Sequence, residues 1–169
     1  CRASTVPAVS GKLTPDEEAM LQYRSRAIES IYELDAEELA TPVSEDLEID
    51  ASMPAIEDII AVELDPYISD MRSGENKVSY KGDIVANILY LAKTEFPDDI
   101  EPENPPKYVA FSRKIPISGE IDAQGVTENC VPIASVRTDN LEFRPQENNF
   151  GESRTVELDF DYSVFARIF

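Results

Sequence analysis

The chain has 169 residues, a usual length for one compact domain, and 42% of them are hydrophobic, enough to build a core. Lys and Arg total 15 against 34 Asp and Glu, which gives a net charge of −19. Such an acidic surface repels nucleic acid and anionic lipid, because both are bound through clustered cations. No apolar run approaches the roughly 20 residues that a membrane-spanning helix needs. We therefore expect no nucleic-acid partner and no membrane span.

The composition also lacks most catalytic groups. There is no histidine, the usual general base near neutral pH and the commonest transition-metal ligand. The two cysteines cannot supply a four-ligand zinc site. The sequence contains neither a Gly-rich phosphate loop nor a GxSxG nucleophile motif. We therefore expect a protein that is not an enzyme and that carries no cofactor.

Two segments precede the main domain. Residues 1–13 are small and polar, which is typical of an extended arm. From Thr14, a capping box with Glu17 and an apolar stripe predict one amphipathic helix of roughly 20 to 26 residues that ends at Pro42. The stripe consists of Met20, Tyr23, Ala27, Ile31 and Leu34. This helix either packs across a sheet of its own domain or docks on a neighbouring subunit.

From about residue 47 the hydrophobic period changes from that of a helix to that of a strand. The pattern predicts a short helical turn at residues 54–60, a strand that ends at Pro66 and a turn at residues 72–76. A long strand follows, in which Gly82 indicates a bulge or bend. One face of that strand carries Val78, Tyr80, Gly82, Ile84, Ala86, Ile88 and Tyr90.

The second half of the chain continues the strand pattern. Residues 108–117 read as a strand broken at Pro116, and Val131, Ile133, Leu141 and Phe143 frame two further strand segments. The last strand alternates most clearly, with Val156, Leu158, Phe160, Tyr162, Val164, Ala166 and Ile168 on one face. Strands with one wet face favour an all-β fold, an antiparallel β-sandwich. We predict an arm at 1–13, an acidic helix and linker at 14–46, and the sandwich at 47–169.

Two acidic groups invite a calcium interpretation. Asp46, Glu48, Asp50 and Glu57 occupy positions 1, 3, 5 and 12 of an EF-hand-like loop, but Ala51 stands where that loop requires glycine. A strand with a solvated acidic face explains the same spacing. A second group at residues 98–103 reads as a soluble loop between prolines. We therefore predict no metal site.

Residues from about 53 to 169 resemble the SPOCS domain, found in endospore-forming Firmicutes and in SipL-type coat morphogenetic proteins. The resemblance is carried by a proline-led segment at 54–60, by Lys77–Gly82 followed by Ile88–Tyr90, by Ile115-Pro116-Ile117 and by the closing strand at 154–169. Each of these is a packing pattern, not a chemical motif. The resemblance implies a protein–protein assembly role in the spore envelope, without catalysis.

This sequence departs from the SipL-type arrangement in two ways. It shows no peptidoglycan-binding LysM module after the domain, and it has an acidic helix and an arm in front. The departure favours a structural subunit that self-assembles into a spore-surface layer or fibre, with other copies of itself and other spore coat proteins as partners. The alternative is a non-polymerising adaptor that binds another coat protein.

The cysteines bear on this choice. A Cys1–Cys130 bridge can form within one chain, or between chains if the arm of one subunit reaches the next. Two unpaired thiols, with Cys130 simply buried, are the third reading. We favour the bridge between subunits, with an arm strand added to a neighbour's sheet edge. The candidate intersubunit residues are Cys1, Val6, Val9, Leu13 and Cys130.

The first residue admits two accounts. Removal of an initiating Met leaves Cys1 at the amino terminus, and so does cleavage of a lipoprotein signal, which also attaches lipid. The first account fits a protein made in the mother cell and placed on the spore surface. The second makes it an extracellular protein anchored by lipid at Cys1.

Overall fold

The computed structural model describes residues 33–37, 40–94 and 105–169. Within these residues every regular element is a β-strand, and no helix is present that could cross a membrane. The strands are β1 (Leu34–Glu37), β2 (Thr41–Glu48), β3 (Ile56–Gly74), β4 (Lys77–Ala92), β5 (Tyr108–Asp122), β6 (Pro132–Glu147) and β7 (Ser153–Ile168). The expectation of an all-β, antiparallel protein is confirmed.

The strands form two layers, each built around one central strand. In the first layer β4 pairs with β3 on one side and β5 on the other. In the second, β7 pairs with β6 along one edge and with β1 and β2, one after the other, along the other edge. A single bridge, Ile56 to Ser153, joins β3 to β7. The arrangement is sandwich-like, with each central strand flanked on both sides.

The core lies between the two central strands. The alternating faces predicted for the long strand and for the last strand are the buried faces of β4 and β7. Tyr80 and Tyr162 meet across the interior, with their hydroxyls 3.4 Å apart. Tyr90 packs edge-on against Phe111 and donates a hydrogen bond to the carbonyl of Pro54 at 2.8 Å. The period-two pattern therefore identified the core of both layers correctly.

The predicted helix is wrong at its carboxyl end. Leu34 belongs to β1, where it lies opposite Ile168, and Pro42 belongs to β2, where it lies opposite Asp161. Leu34 fits the helical stripe in sequence, but the free edge of β7 offers backbone hydrogen bonds that only an extended chain can use. The rest of that helix and the arm at 1–13 lie outside the described residues.

Four further boundaries differ from the prediction. The segment predicted as a helical turn at 54–60 enters β3 at Ile56, and neither Pro66 nor Pro116 ends its strand. The two segments predicted around Val131 to Phe143 are one strand, β6, with a register shift between Asp139 and Glu142. Both prolines lie in strands that flank a central strand, where the proline nitrogen can face away from the paired neighbour.

Candidate assembly surfaces

Prolines mark the outer strands of both layers. Among the residues that the structure describes, five prolines lie within strands, and all five are in β2, β3, β5 or β6: Pro42, Pro66, Pro116, Pro132 and Pro145. The central strands β4 and β7 contain none. Because proline cannot donate to a ladder, it interrupts any strand that tries to pair along these edges. Strand addition is therefore confined to stretches between prolines.

Arginine side chains hold the layers together at one end. Arg113 of β5 donates to the carbonyl of Glu48 in β2 at 3.2 Å and lies over the ring of Phe111, 5.2 Å from its centroid. Arg154 donates to the carbonyls of Asp50 and Met53, at 3.0 and 2.9 Å. Arg113 thus ties β5 to β2, and Arg154 ties β7 to the segment before β3, where it shares the Asp50 carbonyl with the amide of Met53, so their role is structural.

A cleft with a partly apolar lining opens at the other end, where β1, β6 and β7 lie side by side. It has a volume of about 680 Å³ and is lined by Ile133, Phe165, Phe169 and a row of alanines at positions 36, 134 and 166. Ile133 is 60% exposed, and its neighbour Val131 is 62% exposed. Exposed apolar side chains grouped in this way mark interaction surfaces. We call this feature the terminal cleft.

Charged side chains form one rim of the terminal cleft. The Nε of Arg167 lies 2.7 Å from a carboxylate oxygen of Glu33 and 3.3 Å from one of Asp35. Glu37 also lines the cleft. This rim is acidic overall, with one cation shared between two carboxylates. An acidic partner that binds here is repelled by these carboxylates, and salt screens that repulsion.

Cys130 lies at the entrance to β6, next to the terminal cleft. It is 5% exposed, its amide donates to the carbonyl of Thr127 at 3.0 Å, and its Sγ accepts a hydrogen bond from the Thr127 amide at 3.3 Å. Val131, the next residue, pairs through its backbone with Phe169 at 2.8 and 3.0 Å. The other candidate contacts, Cys1, Val6, Val9 and Leu13, lie outside the described residues.

The hairpin between β6 and β7 presents an aromatic side chain that the sequence argument missed. Phe150 is 89% exposed, the largest value among the large hydrophobic side chains in the described part of the chain. Asn148 fixes the turn, because its Oδ1 accepts from the amides of Phe150 and Glu152, and Gly151 adopts φ +74°. The signal was available, since Phe150 interrupts an otherwise polar turn sequence, Glu-Asn-Asn-Phe-Gly-Glu.

The first acidic group falls on extended backbone, not on a calcium loop. Asp46 and Glu48 are in β2 and Glu57 is in β3. The carboxylate of Asp50 accepts two hydrogen bonds from Ser52, the amide and the hydroxyl, which lower its pKa. Across residues 33–37, 40–94 and 105–169 no three carboxylate or thiol groups lie where they could hold a metal ion. The second group, at 98–103, lies outside the described residues.

In one ion pair, between β6 and β7, the pKa values of both partners are shifted. Arg144 of β6 lies opposite Glu157 of β7 and donates two hydrogen bonds to its carboxylate. These bonds lower the pKa of Glu157 and raise the pKa of Arg144. The pair links the outer strand of the second layer to its central strand on the solvent side. We assign the pair a structural role, because its carboxylate is ionised and engaged by Arg144.

Comparison with known proteins supports the resemblance described above. No curated protein and no solved structure matches the chain significantly. The model of the family described as "SipL, SPOCS domain" matches residues 55–145, more than half of the chain. The match spans β3, β4, β5 and most of β6, whereas β1, β2 and β7 lie outside it. The chain therefore belongs to the SipL SPOCS-domain family.

Proposed function

We propose that the protein is a non-enzymatic structural subunit that self-assembles into a spore-surface layer or fibre of an endospore-forming bacterium. Membership of the SipL SPOCS family supports a role in sporulation. The proposal assigns contacts between copies to the arm at residues 1–13. A disulfide that involves Cys130 reinforces those contacts.

The observation that carries this proposal is the group of exposed apolar side chains around the terminal cleft. In a chain with a net charge of −19, exposed apolar side chains stand out against a solvating surface. Val131 and Ile133 are more than half exposed, and they follow Cys130 directly. An apolar area of this kind beside a cysteine suits a contact that forms first by burial and is then held covalently.

The direct test is assembly of the purified full chain. We expect negative-stain electron microscopy at moderate salt to show fibres or sheets, and sedimentation velocity to show growth with protein concentration. The same samples with reductant separate two forms of the proposal. Weaker assembly under reductant supports the disulfide, and unchanged assembly retains the subunit without it.

A deletion of residues 1–13 tests the arm. The truncated chain should lose assembly while its circular-dichroism spectrum remains β-rich, because the strands described here begin at Leu34. Small particles of constant mass in every full-length sample would contradict self-assembly. That result would favour the adaptor alternative, in which the domain binds another spore coat protein without polymerising.

A further inference from the structure

We propose that Phe150 of one copy inserts into the terminal cleft of a second copy, so that subunits join head to tail. This inference rests on the proposed function and names the contact between described residues on which growth depends. It adds a hydrophobic contact to whatever the arm contributes. The occupant of the cleft is thus a second copy of this chain.

Phe150 is exposed on a turn whose backbone is held by hydrogen bonds. A phenylalanine that is 89% exposed presents nearly its whole ring to water. The turn that carries it is fixed by three hydrogen bonds to Asn148: the amides of Phe150 and Glu152 donate to its side chain, and the Gly151 amide donates to its carbonyl. Because the backbone of the turn is already ordered, docking of the ring costs little backbone entropy, which suits an interface anchor.

The terminal cleft has the size and the apolar side chains that an aromatic ring needs. A cavity of about 150 Å³ is enough to hold a benzene ring, and the cleft offers about 680 Å³ between Ile133, Phe165 and Phe169. Two aromatic rings in its wall can meet an incoming ring edge-on or offset. The cleft is therefore open and large enough for Phe150 together with part of its turn, and its apolar wall lies beside charged side chains such as Asp35 and Arg167.

Phe150 and the terminal cleft lie at opposite ends of β7 in one molecule. The Phe150 turn precedes Ser153, the first residue of β7, and the cleft lies at its last residues, near Phe165 to Phe169. At about 3.3 Å per residue, the 16 residues of β7 span roughly 50 Å. A copy therefore cannot fill its own cleft with its own Phe150. A contact between two different patches is heterologous, and repeating it builds a ring or an open filament.

The test compares Phe150→Ala and Ile133→Asp with the wild type by sedimentation velocity and electron microscopy. Phe143→Ala is the matched control, because Phe143 is another exposed phenylalanine on the same layer. Loss of an aromatic anchor should raise the concentration needed for assembly at least about tenfold. Ile133→Asp should do the same, and Phe143→Ala should assemble like the wild type.

Mixing the two variants distinguishes a head-to-tail contact from a general loss of folding. Phe150→Ala retains the cleft and Ile133→Asp retains the anchor, so an equimolar mixture should form one-to-one dimers that neither variant forms alone. A photoreactive benzoyl-phenylalanine in place of Phe150 should cross-link, between chains, to peptides from residues 33–37, 132–137 or 163–169. Cross-links to any other part of the second copy, or none, overturn the inference.

The failures of the two proposals can be told apart. Wild-type assembly that Phe150→Ala leaves unchanged overturns the head-to-tail contact and leaves the structural subunit intact. A wild type that remains monomeric at all concentrations overturns both. If the chain's own residues 14–32 occupy the cleft, benzoyl-phenylalanine at position 150 gives no cross-link to the cleft residues of a second copy, which also overturns the inference.

Discussion

The backbone of Gly82 in β4 touches the carbonyl of Tyr67 in β3. A Cβ added at Gly82 would lie 2.1 Å from that carbonyl oxygen and 3.0 Å from the Cα of Ile68. The register between β3 and β4 shifts just beyond this point, between Ile68 and Asp70. The glycine therefore marks the bulge that its position in the sequence predicted, and close approach of two backbones is the physical reason.

The substitution Gly82→Ala should destabilise the fold, because the contact is with backbone that cannot move aside. We expect a loss of about 1–3 kcal/mol in the free energy of unfolding, measured by urea denaturation. Gly74→Ala is the control, since its nearest atom would lie at an ordinary 3.5 Å. Equal losses for the two variants would contradict the close-approach explanation.

Strand β7 should be essential to the core although it lies outside the family match. Leu158 is completely buried, so Leu158→Ala removes packed methyl groups and leaves a cavity. We expect a cost of about 2–5 kcal/mol in urea unfolding. Phe143, its cross-strand neighbour, is 41% exposed, and Phe143→Ala should cost much less. A smaller loss for Leu158→Ala than for Phe143→Ala would argue against the two-layer packing.

The free energy of unfolding should decrease as the pH falls, in part because Glu157 becomes protonated. Hydrogen bonds from Arg144 hold its pKa below the ordinary value of 4.5. A group with a lowered folded pKa contributes its full stabilisation above the unfolded pKa and loses it as pH falls through the folded pKa. Urea unfolding of Glu157→Gln should therefore show a shallower decline below about pH 4.5 than the wild type. Glu75→Gln, in the β3–β4 turn, serves as the control, and identical slopes for wild type and Glu157→Gln would refute the prediction.

Assembly should strengthen as salt rises. The rim of the terminal cleft carries Asp35 and Glu37, and the Phe150 turn is flanked by Glu147 and Glu152, so like charges meet when copies join head to tail. Screening shortens from about 10 Å at 0.1 M salt to about 3 Å at 1 M. The concentration needed for assembly, followed by light scattering in sodium chloride, should fall over this range. A rise would mean that attraction between opposite charges drives the contact.

Cysteine pairing can be determined on a non-reducing gel. If Cys130 bridges to Cys1 of another copy, the chain should migrate as multiples of its 18.9 kDa mass, and reductant or Cys130→Ser should collapse the ladder. A single monomer band that shifts on reduction would place the bridge within one chain. A band unchanged by reductant would leave two thiols. Only the ladder agrees with the pairing we favour.

The sequence was sufficient to predict β4 and β7 as strands, because their side chains alternate between apolar and polar with the period of two that extended backbone imposes. It also determined the family, from the order of packing patterns around Gly82 and the Ile115-Pro116-Ile117 step. The absence of histidine and the small number of cysteines predicted a non-enzymatic role and a part for Cys130 in assembly, and both stay predictions.

The pairing of the remaining segments depends on contacts between strands that are distant in the sequence. Leu34 fits a helix or a strand equally well in sequence, and the open edge of β7 selects the strand. Likewise, Pro66 and Pro116 are tolerated because their strands flank a central one. The terminal cleft depends on β1, β6 and β7 meeting at one end, and Phe150 is an anchor only because its turn projects from the other. These relations join residues far apart in the chain, and local propensity carries no information about such pairings.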